Sequence, residues 1–203
     1  MKKILLFAIA LMLLSASTAF AQGDGTFYFV TYFSNANTAG APDGTLRLIN
    51  DGSPSTALGK GFQPNGTLYA SIYTFDDSQQ MQECCNCLVS PDGLLSESVD
   101  NNLMSNTLTG GYEETNRGVI KIISTTNPDP TNNVLKTGLR GTMTHIQAPV
   151  SPGNALYYVT ESPLARSNLS SAEIQDLQIT CGFVMYLGSG QGVCSCTPED
   201  SDF

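Results

Sequence analysis

"MQECCNC", residues 81–87, places half of the chain's six cysteines in one short stretch. The other half lies near the C-terminus, at Cys181, Cys194 and Cys196. Side chains alternate between the two faces of a β-strand, so Cys85 and Cys87 share one face and Cys84 points to the other. Two thiol clusters so far apart in the chain either cross-link it or together bind a metal.

The N-terminus indicates which compartment these thiols meet. Lys2 and Lys3 precede an apolar run from Ile4 to Leu14, and the small-residue site Ala19-Phe20-Ala21 follows it. This order predicts a secretory signal peptide over residues 1–21 and a mature chain of residues 22–203. The apolar run is shorter than the about 20 residues of a membrane-spanning helix. We therefore expect a secreted or periplasmic protein with no membrane insertion after removal of the signal.

An even number of cysteines in an exported chain favours disulfide bonds. Adjacent cysteines such as Cys84 and Cys85 rarely bond to each other, because a disulfide needs a Cα separation near 5.5 Å. We therefore expect bonds between the clusters. Strand faces pair Cys85 and Cys87 with Cys194 and Cys196, in either order, and leave Cys84 for Cys181.

A thiolate metal site and free thiols are the competing interpretations of the same residues. Zinc sites use C-x₂₋₄-C spacings, whereas this chain has C-C-x-C and C-x-C. The spacing disfavours zinc, and we expect no cofactor.

Apolar residues of the mature chain mostly recur at every second position, which is typical of β-strands. The runs are "TFYFVTYFS" (26–34), "TLRLIN" (45–50), "TLYASIYTF" (67–75), "GVIKII" (118–123) and "ALYYVT" (155–160). Turn sequences such as Pro91-Asp92-Gly93 separate them. The pattern predicts a mainly β protein, a single antiparallel β-sandwich domain over residues 22–203.

One helix is expected, over about residues 170–182. Ser170 with Glu173 forms a capping-box pattern, and Leu169 and Ile174 occupy the staple positions. Apolar positions then follow at helical spacing up to Cys181, and Gly182 is a candidate C-terminal cap. This helix places Cys181 on its buried side, and a disulfide-tied tail completes the chain.

Two resemblances accompany this interpretation. The strand order from Gly44 to Val99 resembles that of immunoglobulin-like modules on bacterial surfaces, although the chain has no Trp and lacks the Cys-Trp-Cys spacing. The stretch "MQECCNCLVSPDGLL" (81–95), with the late C-x-C, resembles a group of secreted bacterial proteins of uncharacterised activity. Neither resemblance implies a reaction or a ligand.

Net charge excludes two classes of partner. Removal of residues 1–21 takes away Lys2 and Lys3 and no acid, which changes the formal net charge from −9 to −11. Such a field repels nucleic acid and anionic membrane surfaces. The expected partner is therefore a surface protein or a glycan of unknown identity.

Candidate catalytic groups are few. His145 is the only histidine, and the chain contains no G-x-S-x-G nucleophile elbow. The acidic candidates for glycoside hydrolysis are Asp76-Asp77, Glu113-Glu114 and Glu83. A secreted hydrolase that uses His145 or an acidic pair is thus one alternative function, and we assign no catalytic residue.

A binding module is the second alternative. Oxygen-bearing side chains cluster in the loop "TTNPDPTNN" (125–133), which makes Asn127, Asp129, Asn132 and Asn133 weak candidates for calcium ligands. Four tyrosines could stack on sugars, namely Tyr69, Tyr73, Tyr157 and Tyr158. The leading expectation is nevertheless a non-catalytic structural or interaction module of the cell exterior.

Overall fold

The computed structural model describes residues 26–54, 66–109, 116–147, 156–187 and 189–197. Within these ranges the protein is an antiparallel β-sandwich with one C-terminal helix, which confirms the predicted fold class. The strands are β1 (Tyr28–Ser34), β2 (Thr45–Asn50), β3 (Leu68–Asp76), β4 (Met81–Val89), β5 (Leu94–Ser98), β6 (Arg117–Thr125), β7 (Leu139–Gln147), β8 (Tyr158–Pro163) and β9 (Ala165–Arg166). A π-helical turn spans Val99–Leu103 and the α-helix, α1, spans Ser171–Tyr186. The predicted signal peptide, residues 1–21, lies outside the described residues.

Two sheets form the sandwich. The five-stranded sheet has the order β4-β3-β6-β1-β9, and the four-stranded sheet has the order β5-β2-β7-β8. Neighbouring strands in both sheets run antiparallel.

The main core lies between the two sheets and follows the period of two in the sequence. Alternate residues of β2, β3 and β6 point inward and are buried, whereas β8 and β9 contribute no buried residue. They include Leu46 and Leu48 of β2, Ala70 and Ile72 of β3, and Ile120 and Ile122 of β6. The turn predicted at Pro91-Asp92-Gly93 joins β4 to β5, with Asp92 in the left-handed region at φ 61°.

A second core lies on the outer face of the five-stranded sheet, beneath α1. Leu177, Cys181 and Val184 of the helix pack there against sheet residues that include Tyr73 and Ile123. The molecule therefore has three layers: the four-stranded sheet, the five-stranded sheet and α1. No helix of the described residues combines the length and the apolar character that crossing a membrane requires.

The helix begins as predicted and ends later than predicted. The Ser170 side chain accepts a hydrogen bond from the Glu173 amide, which confirms the N-cap. The predicted C-terminal cap at Gly182 is wrong, because the helix continues to Tyr186 and Leu187 caps it. Burial of Val184 beyond the glycine favours the added turn, and it outweighs the about 1 kcal/mol that a helical glycine costs relative to alanine.

Candidate functional site

Three disulfide bonds join β4 to the C-terminal region. They link Cys84 to Cys181, Cys85 to Cys194 and Cys87 to Cys196, with Cα separations of 5.9, 5.2 and 5.4 Å. These bonds are the pairs that alternation of strand faces predicts, and the structure adds which of Cys194 and Cys196 goes to which partner. Disulfides of this number are typical of proteins that fold in an oxidising compartment.

The bonds lie on opposite faces of β4. Cys84 belongs to the core beneath α1, whereas Cys85, Cys87 and Cys194 belong to the core between the sheets. Among the described residues, the only group of three or more His, Cys, Asp or Glu side chains close enough to share an ion is Cys85, Cys87 and Cys196. Their sulfurs are bonded as disulfides, which removes the thiolates that a zinc site needs.

The C-terminal tail, residues 189–197, covers the free edge of β4. Val193 forms a parallel bridge with Cys84, the Cys84 amide donates to the Gly192 carbonyl at 2.9 Å, and the Cys194 amide donates to the Cys84 carbonyl at 3.3 Å. Gly192 has φ 82°, and a side chain there would overlap Val184 of the helix. The tail thus protects an edge that would otherwise present unpaired backbone groups.

Buried acids hold the tail and the segment beside it. Glu83 is fully buried and accepts a hydrogen bond from the Asn106 amide at 2.6 Å, and Asn106 in turn donates to the Gly190 and Val193 carbonyls. Burial raises the pKa of Glu83 to about 7, although the hydrogen bond from the Asn106 amide acts in the opposite direction and lowers the pKa. Glu97 is also buried and accepts from both the amide and the hydroxyl of Thr197. Burial raises the pKa of Glu97 as well.

A further carboxyl pair lies at the start of the π-helical turn. Ser98 donates its hydroxyl to Asp43, and the Asp100 amide donates to Asp43 at 3.1 Å. Burial, the Asp43 charge and a hydrogen bond with Asp43 raise the pKa of Asp100 to about 7. These hydrogen bonds join Asp43 to the start of the π-helical turn within the same chain, so the carboxyl pair has a structural role.

α1 is anchored to the sheet by charge as well as by its disulfide. The Glu173 carboxylate accepts from the Tyr28 hydroxyl at 2.9 Å and from the Lys121 ammonium at 2.7 Å. Burial opposes ionisation of Glu173, but the hydrogen bonds from Lys121 and Tyr28 outweigh it and lower the pKa. The helix is therefore fixed near its first turn and again at Cys181.

The outer face of this anchored helix is apolar. Ile179, Phe183 and Tyr186, at positions i, i+4 and i+7, are 52%, 67% and 86% exposed. We call these three residues the helix stripe. Leu187, 61% exposed, extends it. An exposed apolar patch of this kind marks an interaction site more often than chance, and the spacing matches the anchors of helix-in-groove recognition.

His145 of β7 is buried and contacts the neighbouring strand β8 and the facing strand β1. Its Nε2 lies 2.8 Å from the Ser162 hydroxyl, and its ring stacks on Tyr32 with centroids 4.1 Å apart. Burial lowers the pKa of His145. A hydrolase triad needs a third group that orients the imidazole through Nδ1, and no described side chain bonds that atom.

Of the two acidic pairs, Asp76-Asp77 stabilises the β3–β4 turn and its surroundings, and Glu113-Glu114 lies outside the described residues. Asp76 accepts from the amides of Ser78 and Gln80, and Asp77 forms an ion pair with Arg117 at 2.9 Å. The structure therefore brings no pair of these acids together around an open cleft within the described ranges.

The residues suggested as calcium ligands form hydrogen bonds within their own loop and with β3. Asn127 accepts from the Asp129 amide, and Asp129 accepts from the amide and hydroxyl of Thr131. Asn132 donates its amide to the Asp129 carbonyl, and Asn133 accepts from Ser71. These bonds account for the loop shape without an ion.

The four tyrosines do not form one stacking surface, so that interpretation is wrong. Tyr69 and Tyr73 lie in the five-stranded sheet, whereas Tyr157 precedes and Tyr158 begins β8 of the other sheet. Tyr73 is fully buried and donates its hydroxyl to the Pro130 carbonyl.

A cavity of about 490 Å³ opens at the end of the sandwich where β7 begins. Apolar side chains line part of it and polar ones line the rest, among them Phe29, Leu139, Leu164, Asp51, Arg140 and Arg166. Asp51 pairs with Arg140 at 2.9 Å. Burial opposes ionisation of Asp51, but hydrogen bonds from Ser53 and Arg140 lower its pKa. Sequence periodicity does not predict such a cavity.

Comparison of the chain with known protein families, curated proteins and solved structures gives no match. The candidate site therefore depends on geometry alone. The sequence pattern did not predict the helix stripe. Its signal is the run "FVMYL" (183–187), which has more consecutive apolar residues than a helix with one buried face needs.

Proposed function

We propose that this protein is an exported, non-catalytic interaction module that binds another protein at the cell exterior, secreted or in the periplasm, through the helix stripe. The carrying observation is that Ile179, Phe183 and Tyr186 are exposed on a helix whose opposite face is covalently bonded to β4. A rigid helix loses little conformational entropy on binding, so its exposed side chains contribute more to affinity.

Export is supported by the leader-like residues 1–21 and by three disulfides. The acidic balance is compatible with a soluble exterior protein. The resemblance to secreted bacterial proteins with the same cysteine pattern points the same way.

The hydrolase alternative has one supporting observation, the contact between His145 and Ser162. Ser162 could act as a nucleophile only if the imidazole accepted its proton next to an oxyanion-binding site. Burial of His145 to 4% exposure restricts access to that contact. Purified protein should therefore show no turnover on ester, peptide and glycan panels, and activity abolished by His145→Ala would overturn the non-catalytic assignment.

The carbohydrate-binding alternative is favoured by the cavity at the start of β7, whose volume falls within the usual range of small-ligand sites. Glycan arrays with the wild type and Arg140→Ala test it. Chelator-dependent binding would extend the test to the calcium interpretation.

The experiment on the helix stripe uses site-specific photo-crosslinking in the producing cell. A photoreactive phenylalanine analogue replaces Phe183 in one variant and Tyr158, 59% exposed on the other sheet, in the matched control. We expect one discrete adduct from position 183 and none from position 158. Absence of an adduct at 183, or the same adduct at both positions, would contradict the proposal.

A further inference from the structure

A groove of about 340 Å³ runs beside the helix stripe, between α1 and the β3–β4 hairpin. We call it the hairpin groove. Its helix wall carries Phe183, Val184 and Leu187, and its sheet wall carries Phe75 and Met81. Phe183 and Leu187 are largely exposed, so the apolar part of the groove adjoins the stripe. The other lining residues are polar, namely Gln79, Gln80, Gln82, Thr109, Asp176 and Thr180, together with the apolar Leu108.

A β-bulge in β4 shapes the sheet wall. Thr74 pairs with Glu83 and Phe75 pairs with Met81, so Gln82 is the extra residue of the bulge. The shift moves Met81 to the helix side of the sheet, where it joins the core beneath α1. Gln82 is held by Asp76 at 2.6 Å and by the Thr109 hydroxyl at 2.8 Å. The wall is therefore fixed before any ligand arrives.

Charge around the groove is acidic. Asp176, which is exposed, is the one charged residue among the described residues that line it. Lys121 lies over the Phe75 ring but pairs with Glu173 at 2.7 Å, and Arg117 pairs with Asp77 at 2.9 Å. The neighbouring cations are thus matched by acids, and the unmatched charge at the rim is negative.

The acidic charge at the rim argues against two other occupants of the groove, a second copy of this chain and a membrane surface. A second copy carries the same formal net charge of −9 or lower and the same acidic rim, so self-association brings like charges together. Interfacial membrane helices place Lys and Arg on their polar face, whereas α1 has no basic residue.

We propose that the hairpin groove binds a cationic peptide segment of the partner protein that carries a large apolar side chain. The apolar side chain occupies the space between Phe75, Met81 and Phe183, and the basic residues of the segment face Asp176. The inference rests on the proposed function and names the chemistry of the partner.

Binding of synthetic peptides to the oxidised full chain tests it by fluorescence anisotropy. The probe has leucine and phenylalanine flanked on each side by two lysines. One comparison peptide replaces the lysines by glutamates, and the other replaces leucine and phenylalanine by serines. We expect both replacements to weaken binding by about tenfold or more, the step that 1.4 kcal/mol gives. Higher salt should weaken the lysine peptide further.

Variants locate the binding. Phe183→Ala with Leu187→Ala should abolish it, Asp176→Lys should weaken the lysine peptide alone, and Tyr158→Ala should change nothing. Equal binding of the lysine and glutamate peptides, or binding insensitive to the groove variants, would overturn the inference. The inference would also be overturned if no peptide binds and the wild type instead dimerises or associates with phosphatidylglycerol vesicles, provided that the Phe183→Ala, Leu187→Ala variant loses that association.

The two proposals fail differently. A crosslink at position 183 together with no peptide binding leaves the interaction module and rejects the cationic segment. Peptide binding together with no crosslink in the cell rejects the stripe as the physiological contact.

Discussion

The two faces of β4 differ in what their cysteines hold. On the face toward α1, one bond, Cys84–Cys181, fixes the helix that presents the stripe and the groove. On the face toward the four-stranded sheet, two neighbouring bonds fix the tail along the strand edge. One strand therefore holds both α1 and the tail, and the lone bond and the paired bonds have different mechanical roles.

Loop closure makes the difference quantitative. Any first bond closes a loop of about 100 residues, worth about 4.7 kcal/mol in the chain-entropy model. With Cys85–Cys194 in place, Cys84–Cys181 closes a further loop of roughly 15 residues, worth about 3 kcal/mol. Cys87–Cys196 then closes only a short ring, worth about 2 kcal/mol in the same model. Cys84–Cys181 should therefore stabilise the fold more than Cys85–Cys194 or Cys87–Cys196 does when the other bond of that pair is already formed.

Reduction of all three bonds should have the largest effect. The lost contributions are comparable to the whole stability of a typical domain, about 5–15 kcal/mol. We expect the reduced protein to be largely unfolded at 37 °C, which circular dichroism during thermal unfolding measures. A reduced protein that keeps its melting temperature would show that the bonds are incidental.

Sequence alone predicted the part of this comparison that depends on local geometry. Alternation in "CCNC" assigned Cys84 and Cys85 to opposite faces, and Ser170 marked the helix start. The end of α1, the bulge at Gln82 and the contact of His145 with Ser162 depend on packing between distant segments. The helix stripe was missed because periodicity identifies the buried face and does not show whether anything covers the other one.

Removal of single bonds sharpens the comparison. Cys84→Ala with Cys181→Ala should lower the free energy of unfolding by about 3 kcal/mol, and Cys87→Ala with Cys196→Ala by about 2 kcal/mol. Amide hydrogen exchange should increase in α1 for the first variant and in residues 189–197 for the second. The reverse order of stability, or the same exchange pattern in both, would break the assignment of roles.

The pH dependence of stability tests the buried acid beside the paired bonds. Glu83 has a folded pKa of about 7, above its ordinary value of 4.5. Its contribution is therefore fully present below about pH 4.5 and is lost as the pH rises through 7. We expect the free energy of unfolding to fall from pH 5 to pH 8, by about 1–3 kcal/mol from this group. Chemical denaturation measures it.

Glu83→Gln is the matched variant, since the amide oxygen can still accept from the Asn106 amide. Its stability should depend less steeply on pH than that of the wild type. Asp100, whose pKa is also about 7, contributes in the same direction, so Glu83→Gln with Asp100→Asn should flatten the profile further. An unchanged slope in both variants would contradict the burial argument.

Gly182→Ala should have the smallest effect and the opposite sign. The residue lies inside α1, and an added Cβ would meet only the Thr131 methyl, at 3.9 Å. Alanine should therefore stabilise the protein by about 0.5–1 kcal/mol. A rise in the melting temperature checks this, and a decrease would mean that the helix needs the glycine.

A non-reducing peptide map of the protein, with free thiols alkylated before digestion, tests the central claim most directly. The account predicts no alkylated cysteine and three linkages, Cys84–Cys181, Cys85–Cys194 and Cys87–Cys196. Because Cys84, Cys85 and Cys87 are so close, electron-transfer fragmentation of the linked peptides must separate the pairs. A Cys181–Cys194 linkage, or free thiols that appear only after chelation of a bound metal, would contradict it.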